Sequence, residues 1–247
     1  MKTVQIVIPM AGRGQRFRSA GISVPKMLIP VAGKPMLQWA LESLMPHFPG
    51  NKILFVCLED HLKQGELERV IGSCCENAGI LSLPEVTGGQ AETVLSAEAC
   101  LDPELPLLIY NCDTYTESSI GETIRAKGSE ADGIISVFAS ANPAYSYVRT
   151  DGSGRVAEVR EKRVISNRAT TGLYYFRKAG LFLEPAEEAV RLGTEEGEVY
   201  VAPLYNRLIG RGLTVVADQA DRCFPLGTPD EIAEFTRNYR KRESEGT

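Results

Sequence analysis

The chain has 247 residues, 43% apolar and 24% charged, with a formal net charge of −5 at pH 7. These proportions suit one globular domain over 1–247 and exclude a disordered or fibrous chain, while the acidic balance argues against nucleic acid as a partner. No run reaches the roughly eighteen apolar residues of a membrane span, and no charged leader with a cleavage site precedes the first apolar run, so a cytoplasmic protein with no membrane partner is expected.

In chain order, the apolar run 4–8 predicts a strand that stops at Pro9. Gly12 and Gly14 then permit a tight turn whose amides can face phosphate oxygens, and Arg13, Arg16 and Lys26 supply positive charge. A dinucleotide fingerprint fails here, because Phe17 stands where its third glycine belongs; a Walker loop fails for want of a Lys-Ser or Lys-Thr pair. An ordinary strand-to-helix turn is the local alternative.

A helix is predicted over 36–45 and a strand over 53–58. At Thr87-Gly88-Gly89-Gln90 two glycines lead into a predicted helix over 91–101, where close backbone approach and the Gln90 amide suit the edge of a flat base, or simply a helix start. The strand 107–110 runs into Asn111-Cys112-Asp113. A carboxylate facing a phosphate-binding turn is repulsive unless a divalent cation lies between them, and the other reading of Asp113 is a cap or turn residue ahead of the helix 120–127.

The second half reads as a strand over 134–138, a hairpin pairing 145–149 with 155–160 around Asp151-Gly152-Ser153-Gly154, and a strand over 173–176. Helices 179–192 and 200–210, a strand 213–217 and a helix 230–242 complete the chain, with the tail 237–247 as its frayed end. Glu161-Lys162 closes the hairpin and Thr171-Gly172 opens the next strand. The fold class expected is α/β, a Rossmann-like three-layer α/β/α sandwich whose central sheet is mostly parallel, with antiparallel strands in the second half. The six cysteines form no C-x-x-C pair and are expected as buried or partly buried thiols; His47 and His61 are expected at surface or loop positions.

Together these stretches resemble the sugar-phosphate nucleotidyltransferase (nucleoside-diphosphate-sugar pyrophosphorylase) family over most of the chain. The resemblance is carried by Ala11-Gly12-Arg13-Gly14-Gln15-Arg16, Pro25-Lys26 and Gly33-Lys34-Pro35-Met36. It implies nucleotide binding by Met10, Ala11, Gly12, Arg13, Gly14, Gly89, Gln90 and Ala91, and acceptor binding by Tyr145, Glu161, Lys162, Thr171 and Gly172. It further implies catalytic roles for Arg16, Lys26 and Asp113, with Asp113 as a ligand of Mg2+. Two departures stand out. Family members commonly carry a second metal carboxylate just before a Gly-Thr pair near the C-terminus, where this chain has Phe224-Pro225-Leu226; Asp218 or Asp221 are the substitutes at hand, or phosphates and waters complete the shell. The family's Tyr-Gly before the hairpin appears as Tyr145-Ser146.

The resemblance implies transfer of a nucleoside monophosphate from a nucleoside triphosphate to a phosphorylated small acceptor, releasing pyrophosphate. Residues 1–115 would form the nucleotide half and 116–247 the acceptor half, with no C-terminal β-helix domain and with a homo-oligomer left open. The alternatives are a CTP-dependent cytidylyltransferase for a non-sugar phosphate or phosphonate, a metal-dependent glycosyltransferase, and a non-catalytic nucleotide sensor.

Overall fold

A computed structural model describes residues 3–193 and 197–245, with side chains as far as 241. Its strands are β1 (Gln5–Met10), β2 (Pro30–Val31), β3 (Lys34–Pro35), β4 (Ile53–Leu58), β5 (Ala78–Leu83), β6 (Leu107–Tyr110), β7 (Thr114–Glu117), β8 (Gly133–Ala139), β9 (Tyr147–Thr150), β10 (Val156–Arg160), β11 (Arg168–Phe176), β12 (Val215–Gln219) and β13 (Arg222–Pro225). The helices are α1 (Gln15–Ser19), α2 (Met36–Leu44), α3 (Glu59–Leu62), α4 (Glu66–Cys74), α5 (Gln90–Leu95), α6 (Ile120–Lys127), α7 (Gly180–Leu192), α8 (Tyr205–Gly210) and α9 (Pro229–Glu245).

Nine strands form one sheet. β5, β4, β1 and β6 lie side by side and parallel, β11 runs antiparallel between β6 and β8, and β12 pairs parallel with β8. The β9–β10 hairpin joins the first half of β11. From β1 the chain first builds outward through β4 and β5, then returns to lay β6 on the other flank. The sheet therefore has a topological switch point between β1 and β6, and a crevice opens beyond their carboxyl ends, at Met10 and Tyr110.

Alternation along β1 shows how the sequence builds the layers. Ile6, Ile8 and Met10 enter a core with Leu37 and Leu41 of α2, Ile71 of α4 and Ile124 of α6, while Val7 enters the opposite core with Val94 of α5, Phe182 of α7 and Leu208 of α8. In a third cluster the Trp39 ring meets Tyr115, Phe235 and Tyr239 edge-on at 5.3, 4.9 and 4.9 Å and its Nε1 donates to the Val31 carbonyl at 2.7 Å. That cluster fastens α9 against α2 and the β7–β13 pair. Aromatic pairs of this geometry add about 0.5–1.5 kcal/mol each beyond their buried area.

The α/β class, the parallel core and the antiparallel hairpin match the sequence expectations. Several local expectations need correction. β5 was not among the expected strands: its Ala-Gly-Ile-Leu-Ser-Leu run is apolar but short and broken by Gly79 and Ser82, and in the structure it alternates between exposed and half-buried as an edge strand does. The helix expected over 91–101 stops as α5 at Leu95 and resumes as a 3-10 turn, and the helix expected from 200 begins at Tyr205. Residues 246–247 of the expected frayed tail lie outside the described residues. Cys100 is exposed rather than buried.

His61 is also not at the surface: it lies in α3, 7% exposed, and its Nδ1 accepts the Leu58 amide at 3.4 Å. Burial depresses its pKa despite Asp60 alongside, with Arg18 and Arg13 assisting. The unfolded chain therefore takes up this proton at a higher pH than the folded one. The stabilisation is complete above the ordinary histidine value of about 6.5 and is lost as pH falls. Urea midpoints should fall between about pH 7.5 and about pH 5.5 in the wild type, and fall less in His61→Asn, whose amide oxygen can still accept the Leu58 amide. Equal slopes would refute the assignment.

Candidate active site

The crevice at the switch point is a cavity of about 420 Å³. Its walls include Met10, Ala11, Gly12, Arg16, Lys26, Gly89, Gln90, Asp113, Tyr145, Glu161, Lys162, Thr171 and Gly172, so residues spread over most of the sequence share one space. Arg16 and Lys26 thus line the same cleft as Asp113. The Lys26 Nζ donates to Asp113 Oδ2 at 2.9 Å, with the side chains 21% and 18% exposed. Burial opposes the lysine's charge, but the Asp113 carboxylate and Cys112 together raise the ammonium pKa above its ordinary value. Asp113 is accordingly not a helix cap; the Ile120 amide at the start of α6 goes to Ser118 Oγ at 3.2 Å instead. Cys112, between the strand end and Asp113, is pushed up to about 11 by burial and is a thiol at neutral pH.

Three residues expected in the nucleotide set do not line the cavity. Arg13 is exposed, its carbonyl accepts the Arg18 guanidinium at 2.9 Å, and its charge acts on Asp60 and His61. Gly14 opens α1, its carbonyl taken by the Phe17 and Arg18 amides at 2.9 and 3.1 Å. Ala91 is buried in the core and its amide is committed to the Val199 carbonyl at 2.8 Å.

The glycine turn before α5 is held from a distant segment. Val199 donates its amide to the Gly88 carbonyl at 3.0 Å and accepts from Ala91, and a Cβ on Gly89 would sit 2.5 Å from the Val199 nitrogen. With φ at 146°, Gly89 occupies backbone space that other residues rarely adopt. The Gln90 amide donates to the Asn111 side chain, which ties this turn to the end of β6. Gly172 is the second glycine that cannot be replaced quietly: at φ 86°, its missing Cβ leaves room for the Asn111 amide, which would otherwise be 2.3 Å away. The register of β11 against β8 shifts between Thr170 and Tyr174 around it, so β11 bends where it passes the cavity.

On the hairpin side, Lys162 adopts φ 49°, uncommon for a non-glycine residue. Its Nζ donates to Tyr200 Oη at 2.5 Å and lies 4.6 Å from that ring's centre. Tyr200 in turn donates to Glu198, and Ser146 Oγ donates to Glu161. The Tyr200 hydroxyl raises the Lys162 pKa, so this cation is retained through the neutral range. Phe138 and Tyr145 stack obliquely with ring centres 5.5 Å apart. Sequence reasoning missed Asn111, Glu198, Tyr200, Gly227 and Glu231, all of which line the cavity. Of these, Asn111 carried a local signal at a strand's carboxyl end beside Asp113, and Gly227 stands in the Gly-Thr pair that the family resemblance marks. Asp218 and Asp221 do not line it: Asp218 is buried with its Oδ1 accepting from Thr123 Oγ1 at 2.6 Å, and Asp221 is exposed.

A switch-point cleft of this kind defines an α/β protein of the nucleotide-binding, doubly wound class. The chain belongs to the nucleotidyl transferase family, whose model matches residues 5–217. The nucleoside-diphosphate-sugar pyrophosphorylase of Vibrio cholerae RC9 has the same fold, with a TM-score of 0.81 at 30% identity over 94% of this chain and all of that one. A UDP-glucose pyrophosphorylase in its apo form superposes with a TM-score of 0.77 at 19% identity over 98% of this chain and all of that one, a likeness of fold alone. The bifunctional protein GlmU of Paraburkholderia xenovorans is 23% identical over 249 aligned residues, covering 96% of this chain and 52% of that protein. The chain thus spans about half the length of the curated relatives it matches. Among the described residues, no helix is long and apolar enough to cross a membrane.

Proposed function

We propose that this chain transfers a nucleoside monophosphate from a nucleoside triphosphate to the phosphate of a small acceptor, a sugar phosphate in the first instance, forming a nucleoside-diphosphate sugar. An acceptor phosphate oxygen attacks the α phosphorus, the bond from that phosphorus to the bridging oxygen of the β phosphate breaks, and pyrophosphate leaves. The attacking oxygen is already anionic and needs no base, which suits a cleft without histidine. What must be overcome is repulsion: one pair of unit charges at 4 Å costs about 1 kcal/mol in water and about 4 kcal/mol at an effective dielectric of 20.

The observation that carries the reading is the convergence of Arg16, Lys26 and Asp113 from one half of the chain with Glu161, Lys162 and Gly172 from the other in one cleft. In this reading Arg16 and the turn amides hold the β and γ phosphates, Lys26 bridges to the α phosphate, Gly89 and Gln90 contact the base, and Lys162 clamps the incoming phosphate. Residues 1–115 serve the nucleotide and 116–247 the acceptor. Catalysis is then positioning and charge stabilisation of an in-line displacement.

A divalent cation, Mg2+ in our reading, fits this donor set. Asp113 offers a hard carboxylate oxygen, and Gly227 beside it leaves open the space a Cβ would fill 3.5 Å from Asp113 Oδ2. Bound there on the nucleotide, it would neutralise phosphate charge. The name of the Vibrio nucleoside-diphosphate-sugar pyrophosphorylase supports a sugar phosphate as acceptor; in our reading the product serves the building of polysaccharides, and the reaction runs in the cytoplasm, where the triphosphate is supplied.

The test is a matrix of four nucleoside triphosphates against phosphorylated acceptors, including hexose, aminosugar, polyol and choline phosphates, read by pyrophosphate release. One nucleotide paired with one sugar phosphate should dominate. A choline or polyol phosphate as sole acceptor with CTP would move the enzyme to the cytidylyltransferases. Pyrophosphate from no pair would refute the proposal.

A further inference from the structure

We propose that Glu231, on α9, is the second metal-binding carboxylate of this chain, acting with Asp113 across Gly227; the inference deepens the reading just given and rests on it. The position two residues before Gly227 is Pro225, whose side chain has no ligating atom. Asp218 and Asp221, the nearest acidic residues upstream, lie off the cavity wall. Glu231 lies on it.

The local chemistry of the helix start makes Glu231's orientation informative. Thr228 precedes α9, and its Oγ1 accepts the Glu231 amide at 3.2 Å. In such a Thr-x-x-Glu start, the glutamate ordinarily folds back to the amide of the capping residue. Here Oε1 instead accepts the Tyr145 hydroxyl at 2.7 Å from across the cleft. Oε2 lies 3.6 Å from the point a Cβ on Gly227 would occupy. That same point is 3.5 Å from Asp113 Oδ2 and 3.9 Å from Arg16 Nη1. Two carboxylates and a guanidinium therefore face one small space floored by bare backbone.

The backbone holds this arrangement together. The Leu226 amide donates to the Asp113 carbonyl at 2.8 Å, which fixes the Gly227 turn against the residue it serves. The Trp39 and Phe235 contact at 4.9 Å anchors α9 one turn further on. Among the described residues no three acidic, histidine or cysteine side chains converge as a metal cage. Two carboxylates with phosphate and water oxygens completing the shell is the usual arrangement for Mg2+.

The deciding measurement is direct binding of Mn2+ alone to the intact protein, followed by the loss of the free-ion electron paramagnetic resonance signal. The wild type should take up Mn2+, and Glu231→Gln and Asp113→Asn should each weaken uptake about tenfold or more. Glu231→Gln keeps a partner for the Tyr145 hydroxyl, and an unchanged unfolding midpoint will separate ligand loss from misfolding. Pro225→Asp in the Glu231→Gln background should restore much of the affinity, since it returns a carboxylate beside Gly227. Wild-type affinity in Glu231→Gln, or no Mn2+ uptake by the wild type, overturns the inference. Mn2+ uptake that depends on both carboxylates, with no pyrophosphate formed in the matrix, would leave this site standing and remove the transferase reading instead.

Discussion

Asp113→Asn should bind a nucleoside triphosphate more tightly than the wild type when divalent metal is chelated, and should turn over on the order of 10²–10³ more slowly when metal is supplied. Asp113 and Lys26 are paired at 2.9 Å, so the cation proposed to bridge to the α phosphate is partly neutralised by its own neighbour. Removing the carboxylate charge frees Lys26 for phosphate and deletes a repulsion of about 1–4 kcal/mol at 4 Å, which predicts a several-fold gain in metal-free affinity. With metal present the same change deletes a ligand, and the gain reverses. Lys26→Ala should lose affinity under both conditions and lose turnover in the same range as Asp113→Asn, because the stranded Asp113 then faces the phosphates unopposed. Calorimetric titration with and without chelator, beside initial rates of pyrophosphate release, reads all four quantities. Near-normal turnover in both variants, or loss of affinity in Asp113→Asn under both conditions, would sink the assignment of these charges.

The second large effect belongs to a glycine. Gly89→Ala puts a methyl group 2.5 Å from the Val199 nitrogen and 2.6 Å from its oxygen, both backbone atoms that no rotamer change can move. The φ of 146° is itself unfavourable for alanine, at about 1–3 kcal/mol. Relief requires the 88–91 turn to leave Val199, breaking the hydrogen bonds at 2.8 and 3.0 Å and displacing Gln90 from Asn111. The expected result is a lower unfolding midpoint together with a triphosphate affinity reduced by an order of magnitude or more, about the cost of that strain. Gly88→Ala is the control. Its Cβ would meet only the far end of the Glu92 side chain at 2.6 Å, a carboxylate that accepts the Gly88 amide and can rotate aside, so it should perturb both quantities less. Equal effects in the two variants would mean that the Val199 clamp does not hold the turn.

Much of this architecture was readable before any contact was known, because it is written in short-range pattern. The unbroken apolar run that becomes β1, buried on both faces, and the glycines after it act within a few residues of themselves, where backbone sterics and side-chain period decide the outcome, although the strand does not stop at Pro9 as expected but pairs through it with Val56 and continues to Met10. The same holds for the hairpin of β9 and β10 and for the helix Ile120–Lys127, whose bounds agree with the expectation residue for residue. Where local pattern was weak, the reading was weak too: β5 has an edge strand's half-exposed alternation, and Arg13 has the right charge one position away from a turn that directs it elsewhere.

Local pattern alone set the α/β layering, the family resemblance, and the two loci, the glycine turn after β1 and the end of β6, that bring Arg16 and Asp113 to the cleft, with Lys26 on the 3-10 turn Lys26–Leu28 that follows. Packing of distant segments decides that Val199 clamps the turn before α5, that Tyr200 holds Lys162, that Asp218 is buried against Thr123, and that Glu231 reaches the cleft. The reason is physical. A strand or turn is selected by interactions among neighbours in the chain, whereas the pairings of Glu231 with Tyr145 and of Trp39 with Phe235 join residues many tens of positions apart, and only packing of the completed layers brings them within reach.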